Sequence, residues 1–200
     1  MSTCKHRITV NSQPKQIATM KKFIIAIDGP SGVGKSTLSK LLAQELGYIN
    51  LDTGAMYRAV ALETNRRGVD VNDHAALGQL CGEVEIAFAR DGAKAHVGSK
   101  ERVLLNDEDV SQQIRTPEIS LLTAQVAACA EVREALVQRQ RELGAAGGVV
   151  LEGRDVGTVV FPQAQVKFYL TASAGARTKT LSRVAVARRA GQSGSNRYRG

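Results

Sequence analysis

Residues 23–37 read Phe23-Ile24-Ile25-Ala26-Ile27-Asp28, then Gly29-Pro30-Ser31-Gly32-Val33-Gly34-Lys35-Ser36-Thr37. No other stretch of the chain narrows its fold as far. The apolar run has the length of a buried strand, and the nine residues after it match the pattern G-x-x-x-x-G-K-[ST]. Leu38, Leu41, Leu42 and Leu46 then recur at i, i+3, i+4 and i+8, one face of a helix with Gly47 as its stop. A glycine-rich turn between strand and helix can be mere packing, but the order strand, loop, helix is the context of a phosphate loop. Gly29, Gly32 and Gly34 let the backbone bend so that successive N–H groups point inward at a helix start, where an anion is favoured. Lys35 adds a charge that reaches the β- and γ-phosphates, and the Ser36 hydroxyl is placed to ligate Mg²⁺. The loop implies a nucleoside triphosphate.

At 200 residues the chain can hold one well-buried domain with an insertion, and its apolar content of 43% fits a globular α/β protein. No apolar stretch reaches the length needed to cross a bilayer, and no signal-peptide pattern opens the chain. Cys4, Cys81 and Cys129 are odd in number, widely spaced and without metal-ligand spacing, which predicts inert thiols in a reduced, cytoplasmic protein. His6, His74 and His96 pair with no candidate acid or nucleophile and are read as surface residues. The net charge of +8 points to nucleic acid until it is divided along the chain. Residues 1–22 carry five Lys or Arg and residues 171–200 carry seven, neither segment holding an acid, so the part between is net −4. The basic surplus belongs to the ends, and no nucleic-acid partner is expected.

Residues 1–20 lack helix or strand period and are expected to be a disordered or non-native extension, with Met20 an alternative start. A second strand is predicted at Tyr48-Ile49-Asn50-Leu51, followed by a helix from Asp52-Thr53-Gly54 to about Arg67. Between Glu83 and Val110 the period changes to two: Val84, Ile86 and Phe88 alternate, Asp91-Gly92 makes a turn, and Lys94–Val97 and Arg102–Leu105 read as short strands. One long helix is predicted over Pro117–Leu143, capped by Thr116. Val149-Val150-Leu151 and Val166–Leu170 follow as strands. The fold class is therefore α/β, a doubly wound parallel sheet with helices on both faces and a small antiparallel insert at about residues 70–120.

Two polar clusters end strands of that sheet, Asp52 to Arg58 and Glu152-Gly153-Arg154-Asp155-Val156-Gly157-Thr158. In an open α/β sheet both lie at the carboxyl edge with the phosphate loop and converge on one crevice. Each brings an arginine, and guanidinium forks bind phosphate oxygens bidentately, which suits a phosphate acceptor. Asp52 is a candidate for reaching Mg²⁺ through water; Glu152 competes for that role, and either acid can instead cap the next helix.

The set Gly29–Thr37, Leu51–Arg58, the inserted sheet, Ile114–Glu118, Val132–Leu136 and Glu152–Pro162 resembles the bacterial cytidylate kinase family, whose members phosphorylate CMP and dCMP from ATP. The likeness covers residues 22 to about 177. It implies a nucleoside monophosphate kinase fold, with a core at 21–177, a substrate-binding insert and a lid, in a monomer with small-molecule substrates and no membrane. By that resemblance Gly29, Pro30, Ser31, Gly32, Val33, Gly34, Lys35, Ser36 and Thr37 hold the ATP phosphates, with Mg²⁺ on Ser36. Thr53, Arg58, Arg133, Arg154 and Asp155 take CMP, the arginines 58 and 154 at its phosphate and Arg133 with Asp155 at the cytosine edge. Lys35, Arg58 and Arg154 carry the charge of transfer. Cytosine offers acceptors at O2 and N3 and a donor at N4, so an Arg and an Asp satisfy both kinds. Arg115 matches another family position. Ala124 stands where some relatives carry a base-contacting serine, a loss of about 1 kcal/mol that Thr123 offsets only if the helix rotates.

The likeness stops near Arg177. Residues 178–200 are expected to be an aberrant basic tail that replaces the lid and the last core elements. Codons exist for which a one-nucleotide shift from Lys179 reads Lys-Arg-Tyr-Leu-Glu-Leu-Gln-Ser-Arg-Gly-Ala-Gln-Val, the pattern of a lid and its following helix. A frameshift is the hypothesis, and resequencing sinks it if no insertion or deletion lies near that codon and intact relatives share the tail. Two function classes follow: an active (d)CMP kinase, and a nucleotide-binding fragment impaired in turnover. Small-molecule kinases such as shikimate kinase are disfavoured by the Glu152–Pro162 cluster.

Overall fold

The computed structural model describes residues 22–90 and 101–173. In chain order the elements are β1 (Ile24–Asp28), α1 (Lys35–Leu46), β2 (Ile49–Asp52), α2 (Thr53–Arg67), α3 (His74–Glu83), β3 (Ile86–Arg90), β4 (Glu101–Leu105) and β5 (Glu108–Asp109). A 3₁₀ turn at Gln113–Arg115 leads to α4 (Pro117–Val126), α5 (Ala130–Gly144), β6 (Val149–Gly153), a π-helical turn at Val156–Val160 and β7 (Val166–Tyr169). The extension at 1–20, the turn at Asp91-Gly92, the strand at 94–97 and the tail at 178–200 lie outside the described residues. No helix among the described residues is long and apolar enough to cross a membrane.

β1, β2, β6 and β7 pair in parallel in the order β2-β6-β1-β7. Their register sets Asp28 opposite Gly153 and Tyr169, and Asp52 opposite Glu152, so the carboxyl ends of all four strands form one edge. Successive side chains of β1 alternate between layers. Ile25 and Ile27 pack with Ala43 of α1 and Val150, whereas Ala26 faces the opposite layer with Leu151, Val156, Val160 and Phe161. The expected α/β sheet is present.

The leucine stripe of α1 is a correction. Leu38, Leu41 and Leu46 are exposed, Leu41 by 53%, and the buried residues of this helix are Ser39 and Ala43. The period locates a helix but not which side faces the sheet. Here the side one turn of small residues wide lets α1 lie close on β1 and β6.

The junction of β2 and α2 follows from capping chemistry. Asp52 Oδ1 accepts from Ala55 N at 2.9 Å, and Gly68 ends the helix in the left-handed conformation at φ 64°. Ala55, Met56, Ala59 and Val60 bury the face that meets the insert. α3 was not foreseen, although Asp73 caps it by accepting from Ala76 N, and Leu77, Leu80 and Cys81 form its buried side. The antiparallel insert is the sheet β3-β4-β5, with Ile86 opposite Leu105 and Phe88 opposite Val103. Val84 caps α3 rather than starting the strand. Asn106 and Asp107, at φ 49° and 66°, form the two-residue turn into β5, a hairpin signal present in the sequence.

The single helix predicted over Pro117–Leu143 is two. α4 ends at Val126, and Cys129 restarts the chain in an extended conformation at the head of α5. Ala and Cys do not break helices; the tertiary packing does. α4 buries Ile119 and Val126, seven apart, and a straight continuation brings position 133 to the same face. α5 buries Val132, Leu136 and Gln140 instead, so the break turns the face by one residue and leaves Arg133 outward.

Candidate active site

The phosphate loop sits at the carboxyl edge, between β1 and α1. Gly29 holds φ 146°, and a Cβ there would stand 2.3 Å from the Leu170 carbonyl oxygen, so no other residue fits the loop's entry. Gly34, the N-cap of α1, is left-handed at φ 94°. Lys35 Nζ donates to the Pro30 carbonyl at 2.8 Å. Partial burial is the main cause that lowers its pKa; Glu152 opposes that shift and the neighbouring Arg154 adds to it.

Ser36 Oγ donates to Glu152 Oε2 at 2.7 Å, joining the helix start to the end of β6. The Glu152 carboxyl is buried; desolvation pushes its pKa up, Asp52 adds to that, and the Ser36 hydrogen bond and Lys35 pull the other way. Its second oxygen, Oε1, is buried with no hydrogen-bond partner. An orphaned carboxylate oxygen beside a serine hydroxyl, with a second acid near, suits a hard cation that takes oxygen ligands, and Mg²⁺ is one. Asp52, the sequence candidate for that contact, has both oxygens engaged: Oδ1 on Ala55 N, and Oδ2 accepting from Arg58 Nη2 at 2.9 Å. Of the two acids named for that contact, Glu152 is the one with an unpartnered oxygen.

Thr53, the first residue of α2, follows Asp52. It is 6% exposed, and its hydroxyl donates to the Glu152 backbone carbonyl at 2.7 Å, which ties the start of α2 to the end of β6. Arg58 projects from α2 beside Asp52, and its Nε is a buried donor without a partner, which an anion would satisfy. Arg154 is exposed at the end of β6, within electrostatic reach of Lys35. Arg133 of α5 and Asp155, just after β6, form an ion pair, Nη2 donating to Oδ2. Arg58, Arg154 and the Arg133–Asp155 pair thus stand at one sheet edge with the phosphate loop. Arg115 ends the 3₁₀ turn Gln113–Arg115. Ala124 is exposed, and Thr123 donates its hydroxyl to Ile119 O in its own helix at 2.5 Å, so it does not replace the missing serine.

Three participants were missed. Asp28, 7% exposed, accepts from Val156 N and Gly157 N at 2.8 Å each and fixes the turn behind Asp155 to the strand that feeds the loop. Its position directly before Gly29 was the available signal. Arg141 donates to the Val160 and Val159 carbonyls at 3.0 and 2.8 Å and braces the same turn from α5. That turn is a π-helical one, closed by Phe161 N donating to Val156 O at 2.7 Å, a form frequent at functional sites. Tyr57 is half-buried with Arg133 and Asp155 in electrostatic range, and burial raises its phenol pKa. His74 is exposed as expected, yet lies 3.8 Å from Glu131.

The family model described as "Cytidylate kinase" matches residues 25–196. The chain is 60% identical over 154 residues to a cytidylate kinase of Citrifermentans bemidjiense, which covers 77% of this chain and 64% of that protein. A cytidylate kinase of Geobacter sp. strain M21 gives the same identity and coverage, and one of Syntrophotalea carbinolica is 58% identical over 160 residues, 80% of this chain and 65% of its own length. The chain spans 64–65% of the length of these relatives.

Proposed function

The chain belongs to the cytidylate kinase family, and from that premise we propose that it transfers the γ-phosphoryl group of ATP to CMP and dCMP. The observation that carries this reading is the Arg133–Asp155 pair standing with Arg58 and Arg154 at the edge that bears the phosphate loop. The loop amides and Lys35 hold the β- and γ-phosphates, and Arg58 and Arg154 hold the acceptor phosphate and neutralise charge between donor and acceptor. Ser36 and Glu152 would hold Mg²⁺, with Asp52 behind them; the ion supplies charge neutralisation at the transferring phosphoryl group. No covalent intermediate on the protein is needed, because transfer relies on in-line positioning.

Arg133 donates to cytosine O2 and N3, and Asp155 accepts from N4–H₂. Uracil reverses the second pattern, with an acceptor at position 4 and a donor at N3, so it leaves Asp155 unpartnered. ADP release coupled to a reporter, run with CMP, dCMP, UMP and AMP, tests this. The first two are expected to turn over at a kcat/KM at least about 10²-fold above UMP. Asp155→Ala is expected to lower kcat/KM for CMP by about 10–100-fold while the KM for ATP holds. Equal turnover of UMP and CMP would refute the base-reading pair. No turnover of any nucleotide, with ATP still raising the melting temperature, would favour the impaired fragment.

A further inference from the structure

One turn before Arg133, whose N–H donates to the Cys129 carbonyl at 3.1 Å, His74, Cys129 and Glu131 bring three different ligand atoms within 4.8 Å of one another. They come from two helices: His74 opens α3, Cys129 is the N-cap of α5, and Glu131 is its second residue. Cys129 Sγ donates to Glu131 Oε2 at 3.1 Å, and His74 Nδ1 lies 3.8 Å from the same oxygen. The helices meet closely here because of Gly78, one turn beyond His74: a Cβ on Gly78 would stand 3.1 Å from the Glu131 Cβ.

We propose that His74, Cys129 and Glu131 form a site for a borderline-soft divalent cation of the Zn²⁺ class, which staples α3 to α5. An imidazole, a thiolate and a carboxylate suit that class, whereas Mg²⁺ and Ca²⁺ prefer oxygen alone. Tetrahedral bonds of about 2.0–2.3 Å place neighbouring ligand atoms about 3.3–3.5 Å apart. The spacings of 3.1 and 3.8 Å lie within half an ångström of that. Cys129 is buried, while the His74 and Glu131 side chains are 57% and 49% exposed, so the metal has an entry path and a water can take the fourth position. On binding, the Cys129 proton leaves to solvent as the sulfur–metal bond forms. The thiolate and carboxylate then balance the ion's two charges.

The test uses the full chain, stripped with EDTA and titrated with CoCl₂ and then ZnCl₂ in excess MgCl₂. One cobalt per chain is expected, with a thiolate-to-metal charge-transfer band that Zn²⁺ abolishes by displacement, and a melting temperature that rises with Zn²⁺. Cys129→Ala and His74→Ala are expected to lose both the band and the rise, while Cys81→Ala keeps them. His74 is exposed, so its variant reports on the site without disturbing the core. A band that persists in His74→Ala or Cys129→Ala overturns the proposal, as does a wild-type chain that gives none.

Discussion

Lys35→Met is expected to lower kcat for ADP release by about 10³-fold or more while leaving the protein as stable as before. Lys35 is the loop's one charged side chain, and phosphoryl transfer depends on charge placed where the transition state develops it. Methionine has similar length and a good helix propensity, so α1 keeps its start. Burial already disfavours the charged form of Lys35 and depresses its pKa, with Arg154 adding to the effect. Removing the ammonium therefore relieves a folding cost, and the melting temperature is expected to hold or rise. Turnover and thermal melting of the same preparation check both halves. A variant with wild-type kcat would show that the loop is a packing turn, and one with both activity and stability lost would show that Lys35 is structural.

The parts of the fold legible in sequence are those set by neighbours in the chain. β1 with its loop, the capped start of α2 at Asp52, its stop at Gly68 and the Thr116-Pro117 start of α4 all follow from local chemistry. What stayed hidden depends on distant partners. The face of α1 was misread because Ser39 and Ala43 matter only against β1 and β6. The break at 127–129 has no local breaker and arises because α4 and α5 bury faces of different phase. Within the site, Arg133 and Asp155 were named from motifs and are brought together as an ion pair. Thr53 matched the same motifs, yet a carbonyl 99 residues away takes its hydroxyl. The cluster of His74 with Cys129 and Glu131 shows the same limit, since ligands on two helix starts leave no spacing to recognise.

Asp28 gives the second large effect, because one buried carboxylate joins two halves of the crevice. It ends β1 directly before Gly29, and its oxygens accept the Val156 and Gly157 amides that follow Arg154-Asp155. Asp28→Ala leaves both N–H groups buried without acceptors, a cost of about 2–6 kcal/mol against a total stability of about 5–15 kcal/mol. Asp28→Asn is the more informative change. Its carbonyl keeps one amide, but its NH₂ faces the other donor, so about 1.5–3 kcal/mol is lost and the melting temperature is expected to fall by about 4–10 °C. The turn that carries Arg154 and Asp155 then shifts against the phosphate loop, and a displacement of about 1 Å can cost 10²-fold in rate. Assayed well below its melting temperature, Asp28→Asn is therefore expected to lose about 10²-fold in kcat/KM for CMP. A fall in stability with unchanged CMP kinetics would make Asp28 a strut of the fold alone. A fall in both places the alignment of acceptor and donor in the two hydrogen bonds of this residue.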